Sequence, residues 1–151
     1  MTNRPPEVQT AMREWQAVTD DLVAIASRFD PSLIDTLSAC GDWTNRQLLI
    51  HMATGYGVRI AALQAVVEGT PAPQIGADAA NAANVARLAG AAGAQIAAEM
   101  AQVRGRVLVL LSRLSTEDLA DTTTDAGGKP LGEALASLSA HDLEHAAELR
   151  G

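Results

Sequence analysis

The sequence predicts an all-α protein, a four-helix bundle in one domain. Three observations carry that expectation. First, 48% of the 151 residues are apolar but only 3% are aromatic, so the core should be shallow, alanine-rich and closely packed. Second, alanine is the best helix former, while the β-branched and aromatic residues that favour strands are scarce. Third, apolar residues recur three and four apart along four stretches, with Gly, Pro and Asp punctuation between them. The length is that of one ordinary domain and no internal repeat is visible, so residues 1–151 are expected to form a single bundle.

The first helix should begin at Pro5 or Pro6, since proline is tolerated in a first turn. Val8, Met12, Trp15, Val18, Leu22, Ile25 and Phe29 give it one apolar face, and Asp30-Pro31 stops it. A connector over 31–42 holds a short turn at 32–37. The second helix has the clearest start. Thr44 and Gln47 form a capping box, and Trp43 is placed to staple onto Leu48. Leu48, Leu49, Met52, Tyr56, Ile60, Leu63 and Val67 continue its face until Glu68-Gly69-Thr70-Pro71 ends it.

Residues 69–77 read as a loop, and a long third helix is expected over 79–114. Val85, Leu88, Ile96, Met100, Val103, Val107, Leu110, Leu111 and Leu114 support it. Gly90 and Gly93 weaken it, by about 1 kcal/mol each against alanine, unless they permit a close helix crossing. A capped turn at 115–118 and a loop over 121–130 lead to a last helix from Leu131 to the end.

The net charge of −7 excludes the basic surface that nucleic acid or an anionic membrane requires. Lys129 is the only lysine; the remaining positive charge is arginine. One cysteine, Cys40, rules out an intrachain disulfide and fits a reducing cytoplasm. The N-terminus has no signal-peptide pattern, and no apolar run reaches the roughly 18 residues of a membrane span.

The chemistry lies in the three histidines. On the last helix Ala134, Leu135 and Leu138 define an apolar stripe, and continuing it passes through His141, His145 and Leu149. Two histidines thus occupy positions where the period expects apolar residues. Four residues apart, they stack on one face with Cβ atoms about 5–6 Å apart, near enough for one metal. His51 lies beside Met52 at the edge of the second helix's apolar face, where a helix–helix contact would bring it to the pair. Three imidazoles suit zinc, nickel, copper or iron, with zinc the leading choice, and three protein ligands leave an open position. The competing reading is a plain bundle whose histidines are structural.

Two stretches resemble the DinB-like metalloprotein superfamily. One is Gly41-Asp42-Trp43-Thr44-Asn45-Arg46-Gln47-Leu48-Leu49-Ile50-His51; the other is His141-Asp142-Leu143-Glu144-His145. The first is especially close to the metal-binding domain of mycothiol-dependent maleylpyruvate isomerases. The resemblance implies a four-helix bundle holding a divalent metal through one histidine of the second helix and two residues of the last, which map onto His51, His141 and His145. It further implies a thiol-dependent S-transferase or isomerase, with mycothiol the thiol best suited to an arginine-rich, lysine-poor chain. The partners would be a small-molecule thiol and an electrophilic substrate. The isomerase branch often has glutamate where this chain has His141, and it carries a further C-terminal domain, whereas this chain ends at Gly151. Metal binding is therefore the firmer implication, and a non-catalytic metal-binding or regulatory module is the alternative.

The other candidates have lesser claims. Asp142 and Glu144 are catalytic or imidazole-orienting candidates, although Glu144 and Glu148 read first as solvent-facing charges. Arg46 and Arg59 are candidates for binding the carboxylate of a thiol cofactor, against a default of surface ion pairs. Cys40 reads as incidental, Trp15 and Trp43 as packing, and Tyr56 is expected to have no role. The alanine-rich stretch 77–98 offers a small-residue face on which a homodimer could form.

Overall fold

A computed structural model describes residues 4–71, 76–122 and 128–150 of the chain. Parts of two expected loops (72–75 of 69–77, and 123–127 of 121–130) and residues 1–3 of the N-terminal segment lie outside them. The described residues form seven α-helices and one 3₁₀ turn: α1 Pro6–Arg28, α2 Asn45–Thr54, α3 Gly57–Glu68, α4 Ala77–Arg87, α5 Gly93–Leu111, the turn Asp118–Ala120, α6 Leu131–Leu135 and α7 Ala140–Glu148. Their one β feature is an isolated antiparallel bridge between Leu37 and Thr44. The all-α class stands. The count of four helices does not, because three of the four expected rods are each broken once.

The breaks have local causes. In the expected second helix, the Thr54 hydroxyl donates back to the Ile50 carbonyl at 2.7 Å, a bond that bends helices. Gly55 follows as the cap of α2, and a Cβ there would press on the His51 carbonyl oxygen at 2.7 Å. In the expected third helix, the chain turns through Gly90 at φ +78° before α5 begins at Gly93. Gly93 lies against the Ala26 carbonyl of α1 with no space for a side chain, so it serves the close crossing. The expected last helix opens into a turn over 136–139 between α6 and α7.

α1 packs most extensively on α5; α2 packs on α5 and α4, and α7 reaches both α1 and α2. Two apolar clusters result. One gathers Val8, Trp15, Tyr56, Leu63, Val107, Leu111, Leu131, Leu135 and Leu138; the other gathers Leu22, Leu48, Leu49, Met52, Leu88, Ile96 and Met100. Between them runs a buried polar layer. On each helix its member sits between a residue of one cluster and a residue of the other: Thr19 on α1, Arg104 on α5 and Asp142 on α7.

Arg104 and Asp142 form an ion pair with both side chains fully buried. Tyr56 donates its hydroxyl to the same carboxylate at 2.7 Å, and the Arg104 guanidinium lies 4.8 Å from the Trp15 ring centroid and 5.2 Å from that of Tyr56. Trp15 closes the layer by donating its indole N–H to the Arg104 carbonyl. Tyr56 and Trp15 therefore have more specific places than the sequence suggested.

Candidate metal centre

The capping box forms as expected. Thr44 Oγ1 accepts from the Gln47 N–H at 3.2 Å, and Gln47 Oε1 accepts from the Thr44 N–H at 2.9 Å. It fixes the first turn of α2 and with it the His51 ring, one helical turn before the Gly55 break. Trp43, packed against the second apolar cluster, also stands edge-on to His51 with ring centroids 5.0 Å apart.

α7 enters from the other end of the chain. Asn45 ties it down: its Nδ2 donates to the Arg150 carbonyl at 2.8 Å and its Oδ1 accepts the Arg150 N–H at 2.9 Å. His51, His141 and His145 then converge, with one ring nitrogen of each within 4.8 Å of the others. Ring centroids lie 5.4 Å apart for His51–His141, 5.0 Å for His51–His145 and 4.4 Å for His141–His145.

Three observations fit this set to a divalent ion. The Nε2 atoms of His141 and His145 lie 3.1 Å apart, close to the edge of about 3.3 Å of a tetrahedron with metal–nitrogen bonds of about 2.0 Å. His51 Nδ1 is buried and has no hydrogen-bond partner among the described residues, a cost that a bonded cation would remove. His145 Nδ1 meets Glu148 Oε1 at 2.7 Å. A proton on Nδ1, donated to that carboxylate, leaves the Nε2 lone pair facing the cluster, the arrangement common around ligating histidines.

The electrostatics agree with neutral imidazoles at His51 and His141. Burial lowers the pKa of His51, and the neighbouring His145 and His141 lower it further. His141 is lowered first by desolvation and then by His145. Glu148 is held low by the Cys40 thiol on one side and His145 on the other, whereas burial and Glu148 raise the Cys40 thiol. Cys40, His145 and Glu148 thus form a second group of metal-type donors sharing His145.

Several expectations need correction. The apolar stripe does not carry His141 into the core: His141 is exposed and His145 half-buried, while Asp142 takes the buried position. The turn at 136–139 breaks the rod, and α7 restarts with Asp142 facing inward. Asp142 is committed to Arg104 and Tyr56. Glu144 is the solvent-facing charge that was expected, whereas Glu148 is not, because it contacts a histidine. Arg46 is bound to Asp35 at 2.8 and 3.0 Å and to the Ala91 carbonyl, so its guanidinium is used within the fold.

Arg59 does line a cavity of about 430 Å³ that opens onto His141. Two residues were not singled out from the sequence: Arg104, and Asn81 of α4, which approaches the His51 ring. For Arg104 a signal existed, since it falls on the buried α5 stripe between Met100 and Val107.

The DinB superfamily model matches residues 6–149. The chain belongs to the DinB superfamily. No curated protein and no solved structure matches it significantly. Within this DinB chain the two stretches that carried the resemblance are the ones that meet in space, α2 bringing His51 and α7 bringing His141 and His145.

Proposed function

We propose that this DinB protein binds one divalent metal ion through His51, His141 and His145 and uses it in thiol-dependent S-transfer of the kind associated with the mycothiol-dependent isomerase branch. The carrying observation is the convergence of three ring nitrogens within 4.8 Å from helices at opposite ends of the chain. The family match over residues 6–149 supports reading the chain as a domain of the DinB superfamily. A divalent ion held there, with zinc the leading choice, supplies Lewis-acid chemistry that favours the ionised form of a bound thiol. The chain's own residues do the rest. Glu148 orients His145, Trp43 packs on the edge of His51, and the cavity beside His141 gives a small substrate access to the centre.

The test begins with elemental analysis of protein purified without a histidine tag, repeated on His51→Ala. About one equivalent of metal per chain is expected in the parent and a large loss in the variant. Turnover of a chromogenic electrophile is then measured with mycothiol and other low-molecular-weight thiols. Metal without turnover would leave a binding or regulatory module; no metal would leave the histidines structural.

A further inference from the structure

The cavity beside His141 lies between α3 and the α6–α7 pair. Its apolar wall is built from Val58, Ala62, Leu131 and Leu138. Four polar side chains interrupt it, those of Tyr56, Ser137, His141 and Arg59, and of these Arg59 alone carries a permanent charge. Among the described residues no carboxylate lines the cavity.

Arg59 stands apart from the other arginines. Among the described residues three arginines are not exposed: Arg46, Arg59 and Arg104. Arg46 is paired with Asp35 and Arg104 with Asp142. Arg59 has no ion pair and no side-chain hydrogen bond among the described residues, although the chain carries 18 acidic residues against 11 basic ones. A half-buried guanidinium without a carboxylate, in a chain rich in carboxylates, is a fixed charge awaiting an anion.

We propose that this cavity selects a small organic acid, its carboxylate on Arg59, its apolar body along Val58, Ala62, Leu131 and Leu138, and its reacting end at His141. The inference rests on the metal-centre reading, because the ligand's far end must meet the three histidines. It adds what that reading lacks, a class of ligand. A neutral ligand of equal length would fill the same walls and leave Arg59 unpaired, so discrimination between acid and neutral isostere belongs to Arg59.

The experiment uses the full chain loaded with cobalt(II) and two matched probes, an ω-mercaptoalkanoic acid and the ω-mercaptoalcohol of the same length. Thiolate binding is read from the sulfur-to-cobalt absorption, and the dissociation constant by calorimetry. The acid is expected to bind about tenfold more tightly or better, the size of one charge-assisted pair in a half-buried site. Arg59→Met should bring the acid to the level of the alcohol with cobalt content unchanged, and Arg59→Lys should keep part of the preference.

Equal binding of acid and alcohol to the parent overturns the proposal while the metal centre stands. So does a preference that survives in Arg59→Met. Failure of the parent to hold cobalt, or retention of cobalt after His51→Ala, overturns the metal-centre reading and this inference with it.

Discussion

At the scale of single residues, Glu148 is the contact that turns three nearby imidazoles into a preorganised set. Its carboxylate holds His145 Nδ1 at 2.7 Å, and the same ring presents Nε2 to His141. Without that acceptor the ring is free to rotate or to change tautomer, and the third nitrogen loses its aim. Glu148→Ala is therefore expected to weaken metal binding by about 10–100-fold, the usual cost of losing such a partner. A chelator competition titration measures this, and the helical circular dichroism should be unchanged because Glu148 is partly exposed. Affinity within twofold of the parent would show that Glu148 does not orient the ligand. The sequence could not single out Glu148, because Glu144 and Glu148 each follow a histidine by three residues. Only the placement of α7 decides which carboxylate meets a ring.

At the scale of elements, the breaks do as much as the helices. Gly93 and Gly105 both belong to α5 but meet different surroundings. A Cβ at Gly93 would run into the Ala26 backbone carbonyl, whereas one at Gly105 would meet open space. Gly93→Ala is expected to destabilise by about 1–3 kcal/mol through overpacking. Gly105→Ala is expected to stabilise by up to about 1 kcal/mol through helix propensity. Urea melts of the two variants check the opposite signs, and equal signs would contradict the close crossing. That crossing was legible as one of two roles for Gly93. The helix class, the capping box and the histidine pair were also legible, because each depends on residues within a turn or two of one another. The breaks were not, since Thr54 in its second-helix setting and the turn at 136–139 interrupt otherwise continuous apolar patterns. The stripe leaving Leu138 shows the limit most clearly. It can continue three residues on, to His141, or four, to Asp142, and periodicity accepts both. The structure takes the second, and Ala146 and Leu149 follow it into the apolar cluster. The histidines still meet His51, but from the rim of the core rather than from within it.

At the scale of the whole molecule, the buried layer of Thr19, Arg104, Asp142 and Tyr56 joins the two apolar clusters and anchors α7, which carries two of the three histidines. An ion pair with no exposure on either side adds little net stability, yet removing one partner costs about 3–5 kcal/mol because the other charge is left buried. The layer therefore acts mainly on register. α7 slid by a turn would place Asp142 against apolar side chains. Tyr56 reports on the integrity of this layer, since it is the only tyrosine in the chain. Burial raises its pKa well above the ordinary value, and the Asp142 carboxylate raises it further. The folded state thus holds the phenolic proton more tightly than the unfolded state, whose tyrosine titrates near pH 10. This contribution to stability is full below about pH 10 and falls by about 1.4 kcal/mol per pH unit above it. On alkaline titration, tyrosinate absorbance should stay silent through the range where free tyrosine ionises and rise only together with loss of helical circular dichroism. Reversible ionisation near pH 10 with helicity intact would mean that Tyr56 is not sealed in the layer, and that the register of the metal-bearing helix must be set elsewhere.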